Sequence, residues 1–396
     1  MLVILTLLAG CSGGVVALDG PAPEAATPAS APTGTADWYV DCNGGGDFTT
    51  ITSAINNAAD GDWILVEDCE YTERLNYGGK SLWISSRNGS ASTTLNATSS
   101  GYAVQVTSGE GPETGFVGFT VSNARNAAIY ADLASIHVED VTFTDTTGSY
   151  VVYGNGADLE LVNVTFTNNA ETSAVIYTSR GGLELNRANI ECGRSSYGLY
   201  SGHGGAQVDW TQIDCGRSYA AWFENSTGHL MRSNIEGNVY VMNEEDHTTD
   251  SVDLYNCTID GNYQAENGNF SIVNSIVDGG TVYYTLNEEY PGANLIVNSV
   301  LMNSTCAINV DSSTLTVQNS AFWDTQDTCA GDALVGSNGN IGVDPEFVDA
   351  NSGDYHPAAG SPLVDGGTDG VFGADVDGST ADIGVYGGPF SQDGGW

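Results

Sequence analysis

Apolar residues in this chain fall in short alternating bursts. Leu159 and Leu161, Leu183 and Leu185, and Leu315 and Val317 each enclose one polar residue, the period of a strand with one face buried. A longer motif contains these bursts: two alternating apolar positions, a ladder residue, and another apolar residue three positions on. It appears as Leu159–Phe166, again as Val252–Ile259, and again as Leu315–Phe322. Aligned copies place Asp140, Asn163, Arg187, Trp210, Arg232, Asn256, Asn274, Asn298 and Asn319 in one column that recurs about every 23 residues. A second short strand follows most copies, as in Val151-Val152-Tyr153, Val175-Ile176-Tyr177, Leu199-Tyr200, Trp222-Phe223, Val239-Tyr240-Val241 and Val282-Tyr283-Tyr284. Gly and Asn fill the turns, where left-handed backbone is needed.

A strand–turn–strand–turn unit of this length cannot bury its own apolar face. Stacking neighbours buries a continuous core and pairs the backbone along the axis. The pattern therefore predicts an all-β chain, a single parallel β-helix of about 11–12 coils between about residues 62 and 340, on the order of 55 Å long. The Asn column reads as structural, its amides bonding along the ladder and to turn backbones. Open sheet ends need covering, and residues 49–59 supply one helical pattern: Ile51, Ala54, Ile55 and Ala58, with Asp47, Thr49 and Thr50 as N-cap candidates. Asp60-Gly61-Asp62 then turns the chain into strand Trp63–Val66. The expected organisation is a leader over 1–11, a tether over 12–37, the capped solenoid over 38–343, and an Asp/Gly-rich closing segment over 344–396.

Composition narrows the function. The 396 residues carry 9 Lys and Arg against 50 Asp and Glu, a net charge of −41, which excludes phosphate-driven nucleic-acid binding. The acidity fits a solvated surface in salty surroundings, or binding of divalent cations. At the N-terminus, the apolar run 2–9 and Leu8-Ala9-Gly10-Cys11 resemble a bacterial lipobox. That resemblance implies export, acylation of Cys11 and a lipid anchor in a membrane, with Ser12 favouring the outer membrane or cell surface. Residues 12–36, rich in Pro, Ala, Gly and Thr, read as a flexible tether. Export makes disulfides plausible. Cys192 and Cys215 share an acidic-Cys-Gly-Arg context, and Cys306 and Cys329 share Thr-Cys-Ala, each pair one coil apart. Cys42 with Cys69 is the third candidate pair, leaving Cys257 free.

Both ends carry a resemblance. Gly46–Ile51, Ala58–Asp62 and Tyr71-Thr72-Glu73 resemble the opening of right-handed parallel β-helix repeat proteins with the pectin-lyase-like fold. Asp344–Asp349, Gly353–Pro357, Gly360–Asp365, Asp375–Gly378 and Asp382–Tyr386 resemble the C-terminal segment of their secreted members. The resemblance covers about residues 38–388 and implies a right-handed parallel β-helix. It does not imply one activity, because that fold hosts lyases, hydrolases, esterases, epimerases and non-catalytic adhesins.

The scarce basic residues concentrate between 180 and 232, with aromatic residues beside them. Arg187, Arg194, Arg217 and Arg232, with Trp210, Trp222 and His203, are the candidate substrate-binding residues, since aromatic platforms and Arg forks suit an acidic polysaccharide. The same arginines also suit local charge compensation, Arg194 and Arg217 against Glu191 and Asp214. Calcium is the one cofactor considered, at Asp365, Asp369, Asp375, Asp377 and Asp382, whose Asp375-Val376-Asp377-Gly378 resembles the start of a calcium loop. No catalytic residue is assignable. The expected function is a monomeric surface lipoprotein that binds or processes extracellular polysaccharide. The alternatives are a non-catalytic structural or adhesive rod, and a polysaccharide lyase or glycoside hydrolase.

Overall fold

Three strands, rather than two, make most coils, and in two coils the second and third run on as one strand, Gln212–Glu224 and Asn234–Met242. The computed structural model describes residues 32–391 apart from 99–100, 170–171, 245–249, 286–293, 311–314, 332 and 372; Cys11 and the tether up to residue 31 lie outside the described residues. In one representative coil the first strand is Asp158–Val162, the second Thr165–Thr167 and the third Ala174–Ser179. Each pairs in parallel with its equivalents in the coils before and after, as in Leu159↔Leu183, Phe143↔Phe166 and Val152↔Ile176. The result is a parallel β-helix, whose crossovers take the right-handed sense that parallel connections almost always adopt. The first sheet has 13 strands, running from Trp38–Val40 to Leu315–Gln318.

The core is a set of stacked columns. Phe143, Phe166, Ile190, Ile213, Ile235, Ile259, Val277, Leu301 and Phe322 follow one another inside the second sheet, all buried. Side chains of period two on three sheets leave no gap between rungs, so each coil is stable only against its neighbours.

The ladder column is the corner between first and second strands. All nine of its residues, from Asp140 to Asn319, have left-handed backbone with φ between 46° and 53°. Asn and Asp tolerate that conformation far better than branched or bulky residues, which explains why the column is mostly Asn. Its amides do bond along the ladder, as where Asn163 donates to Asp140 Oδ1.

The cap helix is shorter than the 49–59 expected, running Ile51–Asn57 with Thr50 as N-cap. Asp47 instead accepts from the Tyr39 amide, 3.0 Å away. Both helix ends carry compensating charge. The Glu73 carboxylate accepts from the Ile51 and Thr52 amides at 2.8 Å, and Lys80 Nζ donates to the carbonyls of Ile55 and Ala58 at 2.7 and 2.8 Å. The first sheet starts before this helix, since Trp38–Val40 pairs with Trp63–Val66. All three expected disulfides are present, Cys42–Cys69, Cys192–Cys215 and Cys306–Cys329, and Cys257 is free and buried. No described helix is long and apolar enough to cross a membrane.

The C-terminal segment folds back along the side of the solenoid. Leu363, Ile383 and Val385 pack on the outer face of the second sheet, against Ile276, Val300, Met302 and Ala321. The adjacent Asn corner holds its backbone: Asn256 donates to the carbonyls of Val385 and Gly387, Asn274 to Gly387, Asn298 to Thr368 and Asn319 to Gly367. Four consecutive Asn of the column thus serve as a docking rail.

Candidate functional site

The feature most unlike a plain solenoid is the outer face of the third sheet. Register stacks Tyr130, Tyr153, Tyr177, Tyr200, Trp222 and Tyr240 on six consecutive rungs. Ring centroids lie 5.2 Å apart for Tyr130–Tyr153, 4.6 Å for the parallel pair Tyr177–Tyr200, and 4.1 Å for Trp222–Tyr240. Tyr150 and Tyr197, which open their own third strands, and Tyr219, inside the strand Gln212–Glu224, widen the column; Tyr150 lies 4.7 Å from Tyr177 and Tyr197 5.3 Å from Trp222. Tyr102 extends it one rung further, 4.3 Å from Tyr130. Inward neighbours such as Val152, Ile176 and Leu199 are wholly buried, so the alternation that builds the core also places every one of these rings outside. At about 4.8 Å per rung the six-ring column spans roughly 24 Å.

The two margins of this wall differ in chemistry. Arg125 and Arg194 sit in the turns that lead into the third strands, Arg217 lies within the continuous strand Gln212–Glu224, and all three are exposed. At the end beside Arg125 a cavity of about 430 Å³ opens between Tyr102, Tyr150 and Tyr153, with Thr147 and Ser149 in its lining. On the far margin the wall meets carboxylates: Tyr200 Oη donates to Glu224 Oε2. Burial against the wall, followed by the hydrogen bond and charge of Glu224, pushes the Tyr200 hydroxyl well above its ordinary range. Burial first, then Tyr150 and Tyr153, raises Tyr177 in the same direction, while Arg180 pulls it back. These phenols stay protonated at neutral pH and act as hydrogen-bonding edges, not as bases.

The expected site residues divide among three corners. Arg194, Arg217 and Trp222 belong to the wall and its margin. His203 lies on the opposite corner, between the third strand and the next first strand, with left-handed backbone. Arg187, Trp210 and Arg232 lie on the Asn corner, where Arg232 chelates Asp209 through Nε (2.8 Å) and Nη2 and stacks 5.0 Å from the Trp210 ring centroid. That group is a compensated ion pair facing away from the wall, so the seven residues do not form one groove. The tyrosines were visible in the sequence as the aromatic residue of each second short strand, but only the coil register lines them up.

The C-terminal aspartates serve backbone amides. Asp369 Oδ1 accepts from Ala381 (2.9 Å), Asp382 Oδ1 from Asp365 (2.7 Å), Asp377 Oδ1 from Ser379 (2.9 Å), and Asp375 from Asp382 and Gly388. Among the described residues no three His, Cys, Asp or Glu side chains come together in a metal-holding group.

No family model matches the chain, and neither does any curated protein. Among solved structures it is similar to the pectate lyase Pel9A (10% identity over 85% of this chain and 90% of that one, TM-score 0.44). It is similar also to the PL6 family alginate lyase AlyGC (14%, 78% and 54%, TM-score 0.35). A third is the mannuronan C-5 epimerase A-module of Azotobacter vinelandii (12%, 69% and 82%, TM-score 0.32).

Proposed function

We propose that this chain binds an extended polysaccharide along the aromatic wall of its third sheet, with acidic sugars preferred at the arginine margin. The observation that carries this reading is the unbroken outward column from Tyr130 to Tyr240. Sugar rings present apolar faces that settle on aromatic faces, while their hydroxyls need donors and acceptors at the edges. A flat wall of phenols supplies both and fits a polymer better than a small molecule. Arg125 and Arg217 form no ion pair among the described residues, although the chain holds 50 acidic residues. Guanidinium groups left unpaired in such a field suit the carboxylate or sulfate of a ligand. Export and a lipid anchor at Cys11, proposed from the lipobox resemblance, place this surface where extracellular polymers occur.

Affinity electrophoresis of the full chain through gels containing polygalacturonate, alginate or a neutral β-glucan tests the reading. Retardation by at least one acidic polymer is expected. The Tyr177→Ala, Tyr200→Ala double variant is expected to weaken it at least tenfold, about 1.4 kcal/mol, with Trp210→Ala on the other corner unaffected. No retardation by any polymer, or retardation indifferent to the tyrosines, sinks the proposal and favours a non-binding rod, whose tyrosine ladder serves only cross-strand stability. Appearance of unsaturated products would add lyase chemistry to the binding.

A further inference from the structure

The aromatic wall ends in a notch. On the rungs before Tyr130 its column continues as Gln105 and Asn76, and beside that end the cavity of about 430 Å³ opens. Turns of successive coils build its lining, stacked by backbone hydrogen bonds: the Asn126 amide donates to the Gly101 carbonyl (3.2 Å), Thr147 to Ala124 (2.9 Å) and Ser173 to Ser149 (2.7 Å). The bare Gly148 allows this approach, since a Cβ there would fall 1.6 Å from the Asn126 carbonyl oxygen. Arg125, Thr147, Ser149 and Ser173 are all exposed along these turns.

Two features set this lining apart. It contains no Asp or Glu, although the chain holds 50 of them. Its polar groups are also unengaged: among the described residues Arg125 forms no ion pair, and the side-chain hydroxyls of Thr147, Ser149 and Ser173 make no hydrogen bond. All of them can donate, one as a fixed cation and three as hydroxyls from the next two coils. The half-buried rings of Tyr102 and Tyr153 supply apolar surface. A carboxylate has two oxygens in one plane, which a single guanidinium fork satisfies. A sulfate ester presents three oxygens in a tetrahedral spread, so hydroxyls on other coils can bond it together with the guanidinium. One arginine also matches its single negative charge. A phosphate monoester carries nearly two at neutral pH, and the second finds no partner in a chain of net charge −41.

We infer that this notch binds a sulfated sugar, the ester oxygens at Arg125 and the hydroxyls of the adjacent turns, the sugar ring against Tyr102 and Tyr153. The inference rests on the sugar-binding reading of the wall and names the group that its Arg125 end selects, a sulfate ester over a carboxylate. The cavity's size suits a sugar-sized body, and a lining without carboxylates offers nothing to a cation.

Isothermal titration of the full chain at physiological salt tests this with four probes: glucose 6-sulfate, glucose, glucuronic acid and glucose 6-phosphate. Glucose 6-sulfate is expected to bind at least tenfold more tightly than each of the others. Arg125→Gln is expected to weaken it at least tenfold with an unchanged thermal melt; should that variant fail to fold, Ser149→Ala is expected to weaken it at least threefold. Tyr200→Ala, outside the cavity lining, is expected to leave glucose 6-sulfate binding unchanged while weakening polymer retardation. Glucose 6-sulfate binding without retardation of any polymer would sink the wall reading and leave this site standing. Retardation of a polymer without glucose 6-sulfate binding overturns this inference alone. So does glucuronic acid or glucose 6-phosphate binding as tightly as the sulfate ester, or binding that survives both the Arg125 and the Ser149 variants.

Discussion

At the scale of single residues, the corner column shows how backbone conformation selects a side chain. Asn163 is exposed, and its hydrogen bond to Asp140 lies in solvent, so little of its contribution to stability comes from that bond. What the position demands is a φ of 51°. Asn163→Ala is therefore expected to cost about 1 kcal/mol, the left-handed penalty of an ordinary residue, whereas Asn163→Gly is expected to be near neutral. Urea unfolding of the two variants compares them directly, and equal losses would show that the amide rather than the backbone matters. Arg187, Trp210 and Arg232 occupy the same conformation without an Asn amide. They fill the three coils just before the rail used by the C-terminal segment, so the change of residue type marks where docking stops.

At the scale of elements, two attachments matter. The Cys192–Cys215 bridge joins adjacent coils two residues before Arg194 and Arg217, its Cα atoms 4.9 Å apart. Closing a loop of 23 residues restricts the unfolded chain by about 3 kcal/mol. Because each coil touches only its neighbours, Cys192→Ser with Cys215→Ser is expected to speed hydrogen exchange in residues 189–242 and leave the first coils unchanged. A uniform change over the chain would contradict the nearest-neighbour picture. The second attachment is the C-terminal segment. Burial pushes the Asp375 carboxyl up to about 6, with Asp382 and Asp377 adding to it, although amide hydrogen bonds from Gly388 and Asp382 oppose the rise. A folded-state pKa above the unfolded one means that this group favours folding below about pH 4 and loses that contribution as pH rises through about 6. Amide protection over 363–388 is expected to be greater at pH 5 than at pH 7.5, and Asp375→Asn is expected to remove most of the difference. Greater protection at the higher pH would reverse the sign.

At the scale of the molecule, stacking identical coils also stacks like charges. Glu191, Asp214, Glu236, Asp260 and Asp278 follow one another on five rungs of the second sheet. Burial, then Asp214 and Asp260, raises Glu236; burial, then Asp278, raises Asp260. These raised carboxylates favour the folded state at low pH and oppose it as pH climbs past their folded values. With −41 net charge the whole rod repels itself at low ionic strength. The melting temperature is expected to rise from 10 mM to 1 M NaCl at pH 7.5, and to gain less from salt at pH 5. A flat salt response would mean that the ladder is already neutralised.

The solenoid itself was readable from the chain, because a period of two within strands and of about 23 between coils leaves stacking as the one way to bury Leu159, Leu161 and their equivalents. Cysteine contexts repeating one coil apart identified Cys192–Cys215 and Cys306–Cys329 for the same reason: equal sequence positions in adjacent coils are neighbours in space. The number of strands per coil was not readable, since a single left-handed residue bends the chain without changing the alternation of apolar positions. Nor was the grouping of Arg187, Trp210 and Arg232 apart from Arg194, Arg217 and Trp222, because nearness in sequence says nothing about which of three corners a residue turns toward. The aromatic wall and the cavity at its Arg125 end are products of register, which joins residues about 23 apart into columns; Gly148 lets the turns that line that cavity stack. Local pattern determined the strands, the turns and their repeat. Tertiary stacking alone decided which side chains share a surface.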